Sequence, residues 1–268
     1  MSMHLNYIRL GAFRPERPSR VVSRGDWSKL GQAVLAVLAL LAVATSAPAA
    51  DTNTPSGQAT NAGWKPLFDG KTTRGWRSFK KQSFPDPGWV VEDGWLHCLG
   101  KGGGNKGGGD IITDAEFGDF ELTWEWKQAP GGNSGLKYFV LETRNAALGH
   151  EYQMIDDARN GDAKLAQGKR VTAAFYDVLK PTVPPPTRPP GQTNFSRILV
   201  QGDHVEHWLN GTKVLEYDCG SEATKAAVAH SKFKDTPGFG NKVKGHLLLQ
   251  DHDSEVWFRN LKIREISE

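Results

Sequence analysis

The sequence predicts an all-β fold, a sandwich or barrel of antiparallel strands with one short helix, and three observations support this. From Trp64 onward the apolar runs are short and rich in Val, Ile, Trp and Phe. Gly, Pro and Asp separate these runs, as expected for turns between strands. Asn210-Gly211, between two runs, is typical of a type I′ hairpin turn. Residues 62–268 are therefore predicted to form a single β domain.

The apolar runs define the individual elements in chain order. Each predicted strand is a short run rich in β-branched and aromatic residues and bounded by turn residues. These strands are residues 88–92, 95–99, 117–126, 135–142, 150–155, 196–201, 204–209, 212–217, 245–250 and 255–265. The one predicted helix is residues 221–231, because Ser221 is a favourable N-cap residue before an Ala-rich run.

Three longer loops separate the predicted strands. Residues 100–109 are mostly Gly, and they lack the Gly-Lys-Ser/Thr ending of a phosphate-binding loop. Residues 181–190 are rich in Pro and are expected to form a stiff, extended insertion. Residues 233–244 are the third loop. Long loops on a sandwich often form the walls of a binding site, so all three are candidates for that role.

The N-terminal residues 1–49 have the composition of a secretory signal peptide. Basic residues between positions 14 and 29 precede an apolar run over 33–44, and Ala47-Pro48-Ala49 is a cleavage signal. The apolar run is shorter than the roughly 20 residues that a membrane span needs. We therefore expect cleavage after Ala49, a flexible lead-in over 50–61, and a periplasmic or secreted protein. An uncleaved N-terminal anchor is the alternative interpretation.

The charge distribution argues against two classes of partner. Residues 1–50 carry a net charge of +4, whereas the whole chain carries +3, so the mature protein is near −1. The basic character therefore belongs to the leader alone. Nothing in the mature chain indicates binding to nucleic acid, or to a membrane once the leader is removed.

The two cysteines and the spacing of potential metal ligands give no specific functional prediction. The two cysteines, Cys98 and Cys219, are each in a strand-like setting, and both a disulfide and two separate buried thiols are compatible with an exported protein. No local spacing of His, Cys, Asp or Glu matches a zinc motif. No cofactor is predicted, and a divalent metal is left open without support from the sequence.

The predicted strand 150–155 carries the main functional signal. Alternate side chains of a strand share a face, so Glu151 and Gln153 point away from His150 and Tyr152. An acid and an amide side by side are suited to the hydroxyl groups of a sugar, which need both acceptors and donors. The strand therefore indicates a carbohydrate site on one face of a sheet.

Further candidate site residues lie on other predicted strands. Lys137 falls on the polar face of its strand, where either an ion pair with Glu151 or an exposed lysine without a role is compatible with the pattern. Gln250 and His252 share a face at the end of a leucine-rich strand, and histidine is the usual general base near neutral pH. The weaker candidates for substrate binding are Asn133, Tyr176, His207 and Arg259. For His207, whose strand neighbours are apolar, a hydrogen-bonded core histidine is the alternative.

A conventional retaining glycosidase fits the same strand poorly. Laminarinase-type β-glucanases carry Glu-x-Asp-x-x-Glu, and Glu151-x-Gln153-x-x-Asp156 looks like a degraded form of it. Such enzymes need two carboxyl groups about 5–5.5 Å apart. Gln153 cannot carry charge, and in a regular strand Asp156 lies on the face opposite Glu151. The strand therefore lacks the second carboxylate.

Seven segments together resemble the exported 3-keto-disaccharide hydrolase family, also described as 3-keto-glucoside 1,2-lyase/2-hydroxy-glucal hydratase domains. The matching segments are residues 64–71, 118–122, 132–140, 151–157, 204–211, 249–252 and 256–265. They run in order through most of the predicted β domain. The chain departs from the family pattern over 191–197, where Asn194 precedes Phe195 in place of a Trp before Asn. The proline-rich loop before this segment is also unusual.

The resemblance implies a concanavalin A-like jelly roll of two antiparallel sheets with its site on the concave sheet. It also implies a glycoside or disaccharide already oxidised at C3 by a separate sugar 3-oxidoreductase. Such a site needs a base for the C2 proton, a group that stabilises the enolate oxygen, and an acid for the leaving group. From face and chemistry, Glu151 or His252 is expected to be the base or acid, and Lys137 to stabilise the enolate. Gln153, Gln250 and Arg259 would orient hydroxyl groups.

Two other functions are weighed against this hypothesis. A non-catalytic carbohydrate-binding module of the same fold would bind sugar through the same residues without turnover. A conventional glycosidase would instead cleave unoxidised oligosaccharides. The aglycone and the anomer that the site prefers are not predictable from these patterns.

Overall fold

The computed structural model describes Asn53 and residues 62–101 and 107–267. The expected signal peptide, most of the lead-in and the centre of the Gly-rich loop lie outside the described residues. Asn53 is buried, and its side chain donates to the Gly94 carbonyl and accepts from the Asn260 amide. Among the described residues, no helix has the length and apolar character needed to cross a membrane.

Almost all regular structure in the described residues is β-strand. The strands are β1 (Lys65–Pro66), β2 (Trp76–Ser78), β3 (Trp89–Glu92), β4 (Trp95–Cys98), β5 (Ile111–Phe117), β6 (Phe120–Gln128), β7 (Asn133–Val140), β8 (His150–Ile155), β9 (Asn194–Gln201), β10 (His204–Leu209), β11 (Thr212–Asp218), β12 (Gly245–Leu249) and β13 (Val256–Glu265). One α-helix, α1 (Glu222–Ala229), and short 3₁₀ turns at Asp162–Lys164 and Ala166–Gly168 complete the elements.

The strands form two antiparallel sheets. The large sheet has the order β11-β10-β9-β6-β13-β4-β3, with β1 paired to β13, and the small sheet has the order β2-β5-β12-β7-β8. Neighbours in each sheet are often distant in sequence, as in a jelly roll. The predicted fold class, an antiparallel jelly-roll sandwich with one short helix, is confirmed.

Most predicted strand positions are confirmed, and one is wrong. The start of the predicted strand 117–126 is wrong, because β6 begins only at Phe120, and β5, which ends at Phe117, was not predicted. Strands β1 and β2 were not predicted, since runs of two and three residues show no periodicity. At the predicted hairpin turn, Asn210 and Gly211 both have positive φ, 47° and 84°, as a type I′ turn requires. The side chain of Ser221 caps α1 by accepting from the Thr224 amide at 3.2 Å.

The inner faces of the two sheets enclose a core rich in aromatic rings. Trp124 from the large sheet packs edge-on against Tyr152 from the small sheet, with ring centroids 5.0 Å apart. Cys98 and Cys219 lie in this core as separate buried thiols, so the structure decides the question that the sequence left open. Burial raises the pKa of Cys219 to about 12, which keeps the thiol protonated and unreactive.

A buried hydrogen-bonded chain of His and Tyr side chains crosses the core. His207 Nδ1 donates to the Ala173 carbonyl, so His207 Nε2 accepts from the Tyr138 hydroxyl at 2.8 Å. Tyr138 and Tyr217 are linked at 2.6 Å, and Tyr217 is 2.8 Å from His150 Nδ1. Burial lowers the pKa of His150 to about 3 and that of His207 to about 4. Both histidines are therefore neutral at physiological pH.

These histidines are expected to make the fold sensitive to acid. Their folded pKa values lie below the unfolded value of about 6.5, so the unfolded chain binds more protons. The stabilisation is complete above pH 6.5 and is lost as the pH falls toward 4, at about 1.4 kcal/mol per pH unit for each histidine. Denaturant titrations at pH 7, 6 and 5 measure this slope. His207→Gln should flatten it and His230→Gln, at an exposed position, should not; an unchanged slope in His207→Gln would contradict the assignment.

Candidate functional site

The candidate site lies on the outer face of the small sheet, where β7 and β8 are paired. Lys137 is opposite Glu151, and Gly135 is opposite Gln153. These side chains project away from the core, because Tyr138 and Tyr152, on the alternate positions, pack between the sheets. The predicted division of the strand into a core face and a polar face is confirmed.

A lysine flanked by two carboxylates forms the centre of the site. Lys137 Nζ is 3.8 Å from Glu151 Oε2 and 3.9 Å from Asp110 Oδ2. It also donates to the Ala147 carbonyl at 3.3 Å. Of the two expected alternatives, the ion pair between Lys137 and Glu151 is confirmed. Asp110 was missed, because it immediately precedes a strand that was not predicted; its alternation with Ile112 is the signal that places it on this face.

Burial controls the protonation of both carboxyl groups. Burial raises the pKa of Glu151, and the charges of Lys137 and Lys232 oppose that rise. Burial likewise raises the pKa of Asp110, while Lys137 and the hydrogen bond from the Asp251 amide oppose it. Burial makes each carboxylate a stronger base than one in water, the neighbouring ammonium group acts in the opposite direction, and the net change of both pKa values is upward. Both acids are therefore candidates for proton transfer.

Gly135 provides the space for the Glu151 carboxyl group. A Cβ atom at position 135 would lie 2.6 Å from Glu151 Oε1 and 2.9 Å from its Cγ. Real Cβ atoms do not approach other heavy atoms so closely, so any side chain at position 135 must displace the carboxyl group. The glycine therefore holds open the position that the acid occupies.

Gly135→Ala is expected to lower activity by at least about 10-fold while the fold remains intact, because it moves Glu151 away from Lys137. Steady-state kinetics on the purified variant measures this loss. Gly118→Ala is the matched control, since a Cβ at Gly118 meets nothing within 4 Å. Full activity in Gly135→Ala would show that the position of the Glu151 carboxyl group does not matter.

Three amide side chains extend the site along the strands. Gln153 is almost fully buried, and its Oε1 accepts from the Met154 amide at 3.0 Å. The Gln250 backbone is held by Gly135 and Ser134, which leaves its side chain, partly exposed, beside the pair of strands. Asn133 is buried, and its Oδ1 has no hydrogen-bond partner among the described residues. These groups are available for the hydroxyl groups of a ligand.

A polar network borders β8 on its other side. The Tyr176 amide donates to the Glu151 carbonyl, and the Tyr176 hydroxyl donates to Asp162 at 2.9 Å. Arg170 bridges Asp162 and Asp177, at 2.6 Å to each. Tyr176 is thereby fixed beside the central lysine and carboxylates.

Lys232 brings a second cation to this wall. Its Nζ lies 4.1 Å from the centre of the Tyr176 ring, and its charge acts on Glu151. Burial lowers the pKa of Lys232, and Glu151 opposes that change. Lys232, Arg170 and Asp162 were not predicted, because they lie in turns without strand periodicity.

His252 lies at the rim of the site. It follows β12 and is exposed, and its charge, when present, lowers the pKa of both Asp110 and Glu151. The structure thus brings the predicted residues Lys137, Glu151, Gln153, Gln250 and His252 to one face with Asn133 and Tyr176.

Two predicted binding residues lie elsewhere, which corrects the expectation from sequence. His207 is fully buried in the hydrogen-bonded chain of His and Tyr side chains described above, because it lies on the same inward face of β10 as Val205 and Leu209. Arg259 lies on the outer face of the large sheet, where it pairs with Glu125 at 2.7 Å and covers the Trp95 ring. Asp156, the last residue of the degraded glycosidase pattern, accepts from the Gly131 and Ala158 amides and stabilises a turn.

One group of potential metal ligands occurs in the described part of the chain. His204, Glu206 and Glu216 have donor atoms within 4.8 Å of one another, on the outer face of the large sheet. Lys213 Nζ already lies 3.2 Å from Glu206 and 2.5 Å from Glu216. The ammonium group of Lys213 therefore already pairs with both glutamates. This cluster is separate from the candidate site.

The fold and the site define a jelly-roll protein with a buried acid–base centre on one sheet. More specifically, the chain belongs to the family of 3-keto-alpha-glucoside-1,2-lyase-like domains, whose model matches residues 63–264. It is 35% identical over 228 residues to a 3-keto-disaccharide hydrolase of Bacteroides thetaiotaomicron, which covers 75% of this chain and 78% of the relative.

Solved structures agree with this assignment. A protein of Parabacteroides distasonis proposed to be a glycosyl hydrolase superposes with a TM-score of 0.71 at 32% identity, covering 80% of this chain and 99% of that one. A second such protein from the same organism has a TM-score of 0.60 at 26% identity, covering 76% and 99%. Both support the jelly-roll architecture.

Proposed function

We propose that the protein cleaves the glycosidic bond of 3-keto-glycosides by abstraction of the C2 proton, elimination and hydration. The observation that carries this proposal is the buried Glu151 carboxyl group beside the Lys137 ammonium group. The relative from Bacteroides thetaiotaomicron is named for this class of substrate. A ketone at C3 acidifies the C2 proton, so a single base and one stabilised oxygen are sufficient to begin the reaction.

Glu151 is assigned the base and Lys137 the stabilising charge. Removal of the C2 proton by the Glu151 carboxylate places the electron pair on the C3 oxygen as an enolate. Lys137 stabilises that oxygen, since it is held as an ammonium group between two carboxylates. The enolate then re-forms the ketone and a C1–C2 double bond, and the C1 oxygen leaves with its electron pair.

His252 is assigned the proton donor for the leaving oxygen. It is exposed at the rim, where an aglycone can depart and water can enter. Water then adds its oxygen at C1 and a proton at C2, so the net result is hydrolysis. Gln153 and Gln250 are placed to orient the sugar hydroxyl groups during these steps.

The test uses the mature protein and a 3-keto-glucoside in heavy water. The proposal expects release of the aglycone and incorporation of deuterium at C2 of the sugar. Mass spectrometry and NMR measure both products. Cleavage without deuterium at C2, or no cleavage and no exchange, would refute the proposed mechanism.

Asp110 supports a second candidate function. The sequence lacked a second carboxylate near Glu151, but the structure supplies one, since both acids lie beside the Lys137 ammonium group. A conventional glycosidase also uses two carboxyl groups, one with a raised pKa as the general acid and one ionised as the nucleophile or base. Such an enzyme would cleave an unoxidised disaccharide without C2 exchange, which the same assay detects.

Export and an upstream partner belong to the same proposal. The composition of residues 1–49 supports secretion to the periplasm or medium, with cleavage after Ala49. A 3-keto substrate requires a separate oxidoreductase that oxidises the sugar at C3. N-terminal sequencing of the protein recovered from the periplasmic and extracellular fractions tests export. An N-terminus other than Ala50 would revise the cleavage site.

A further inference from the structure

A cavity of about 350 Å³ lies at one end of the sandwich, away from Lys137. Its walls are the turn at residues 156–159 and the proline-rich residues 187–190, with Ile155 and Gln128 between them. Ile155 is four residues from Glu151 on β8, about 13 Å along a strand that rises ~3.3 Å per residue. The cavity therefore lies further along the strands than the acid–base centre, next to the end of β7 where Asn133 pairs with Ile155.

The cavity is lined by a buried amide without a partner. Gln128 is 3% exposed, and its Oε1 has no hydrogen-bond partner in the described ranges. Buried side-chain amides are nearly always hydrogen-bonded, so an unpaired one that lines a cavity indicates a polar ligand.

The proline-rich wall is fixed in place. The Gly191 amide donates to the Gln128 carbonyl at 2.9 Å, and the Arg188 amide donates to the Asn194 side chain at 2.9 Å. Arg188 Nη1 donates to the Thr193 carbonyl at 2.7 Å, which leaves other guanidinium donors free of described partners. Proline residues restrict the backbone further. The cavity is thus formed without a ligand.

The opposite wall is also rigid, and the cavity lining as a whole holds two acids, Asp156 and Asp157, and two arginines, Arg159 and Arg188, so its formal charges balance. Asp156 accepts from the Gly131 and Arg159 amides, and its carboxylate pairs with the Arg159 guanidinium at 3.1 Å. This internal pairing removes the attraction for a strongly charged ligand. Apolar surface from Ile155 and Pro189 combined with an amide and guanidinium donors is suited to a neutral, hydroxylated ring.

We propose that this cavity is a second carbohydrate-binding site, which takes a neutral sugar unit. Hydroxyl groups would pair with the Gln128 amide and Arg188, and the apolar face of the ring would contact the proline wall. Binding here requires no 3-keto group and no chemistry at Glu151. The proposal therefore stands or fails independently of the proposed reaction.

The test titrates the mature protein with cellobiose and with methyl glucoside, neither of which is oxidised, and monitors binding by NMR and calorimetry. Gln128→Leu has a similar size and removes the amide, so it should weaken binding by at least about 10-fold. Gln192→Leu, on the same segment but outside the cavity lining, is the matched control.

Thermal unfolding separates a binding role from a structural one. Removing an unpaired buried amide should leave the unfolding midpoint unchanged or raise it, while sugar binding is lost. Absence of saturable binding to the wild type would overturn the proposal, as would equal binding by Gln128→Leu. A large fall in the midpoint of Gln128→Leu would also overturn it, since the amide would then support the fold.

Discussion

Glu151→Gln is expected to lower kcat/KM for a 3-keto-glucoside by about 10²–10⁴-fold, because the variant keeps the shape of the side chain and removes the base. The loss should appear in kcat, and C2 deuterium exchange should fall with it. Substrate affinity should change little, since the amide still pairs with hydroxyl groups. The circular dichroism spectrum should stay that of the wild type.

Glu116→Gln is the control for this experiment. Glu116 is an exposed carboxylate on β5 of the same sheet, and it lies beside His246 rather than Lys137. Its replacement should leave kcat unchanged. Wild-type exchange in Glu151→Gln would move the role of base to Asp110, the other carboxylate next to Lys137.

Lys137→Met is expected to lower kcat by about 10²–10³-fold, because the enolate oxygen loses its stabilising charge. It also leaves the buried Glu151 and the half-buried Asp110 as neighbouring acids without their shared cation. Their pKa values, already raised by burial, should rise further. Activity measured against pH should therefore show its acid limb shifted to higher pH.

The same variant makes a prediction about stability. A carboxyl group with a raised folded pKa stabilises the fold when protonated and destabilises it as the pH rises through that pKa. Lys137→Met should therefore lose more stability at pH 8 than at pH 5, measured by denaturant unfolding. Adding Glu151→Gln should restore part of the loss at pH 8. An equal loss at both pH values would mean that Lys137 does not interact with the buried acids.

The alternation of side chains within a strand could be predicted from the sequence. The separation of Glu151 and Gln153 from His150 and Tyr152 is confirmed, because successive side chains of a strand point to opposite faces wherever the strand lies. The family resemblance is likewise confirmed. Both depend on residues that are close in sequence.

The sheet to which a polar strand face belongs could not be predicted from the sequence. Arg259 and Lys137 both lie on polar faces of strands, yet these faces are the outer faces of different sheets. Local periodicity reports which residues share a face but not which sheet the face belongs to. His207 points inward with Val205 and Leu209, so the structure shows the core histidine that was the alternative to a binding role.

The strand 150–155 thus shows where local pattern ends and tertiary structure begins. Its two faces, its acid and its amide follow from the covalent chain and the pleat of a β-strand. Asp110 joins Glu151 only because β5 and β7 both pair with β12, and Lys232 joins them from a loop that follows α1. Such encounters are set by the register and order of strands distant in sequence, and burial between them then sets the pKa of each acid.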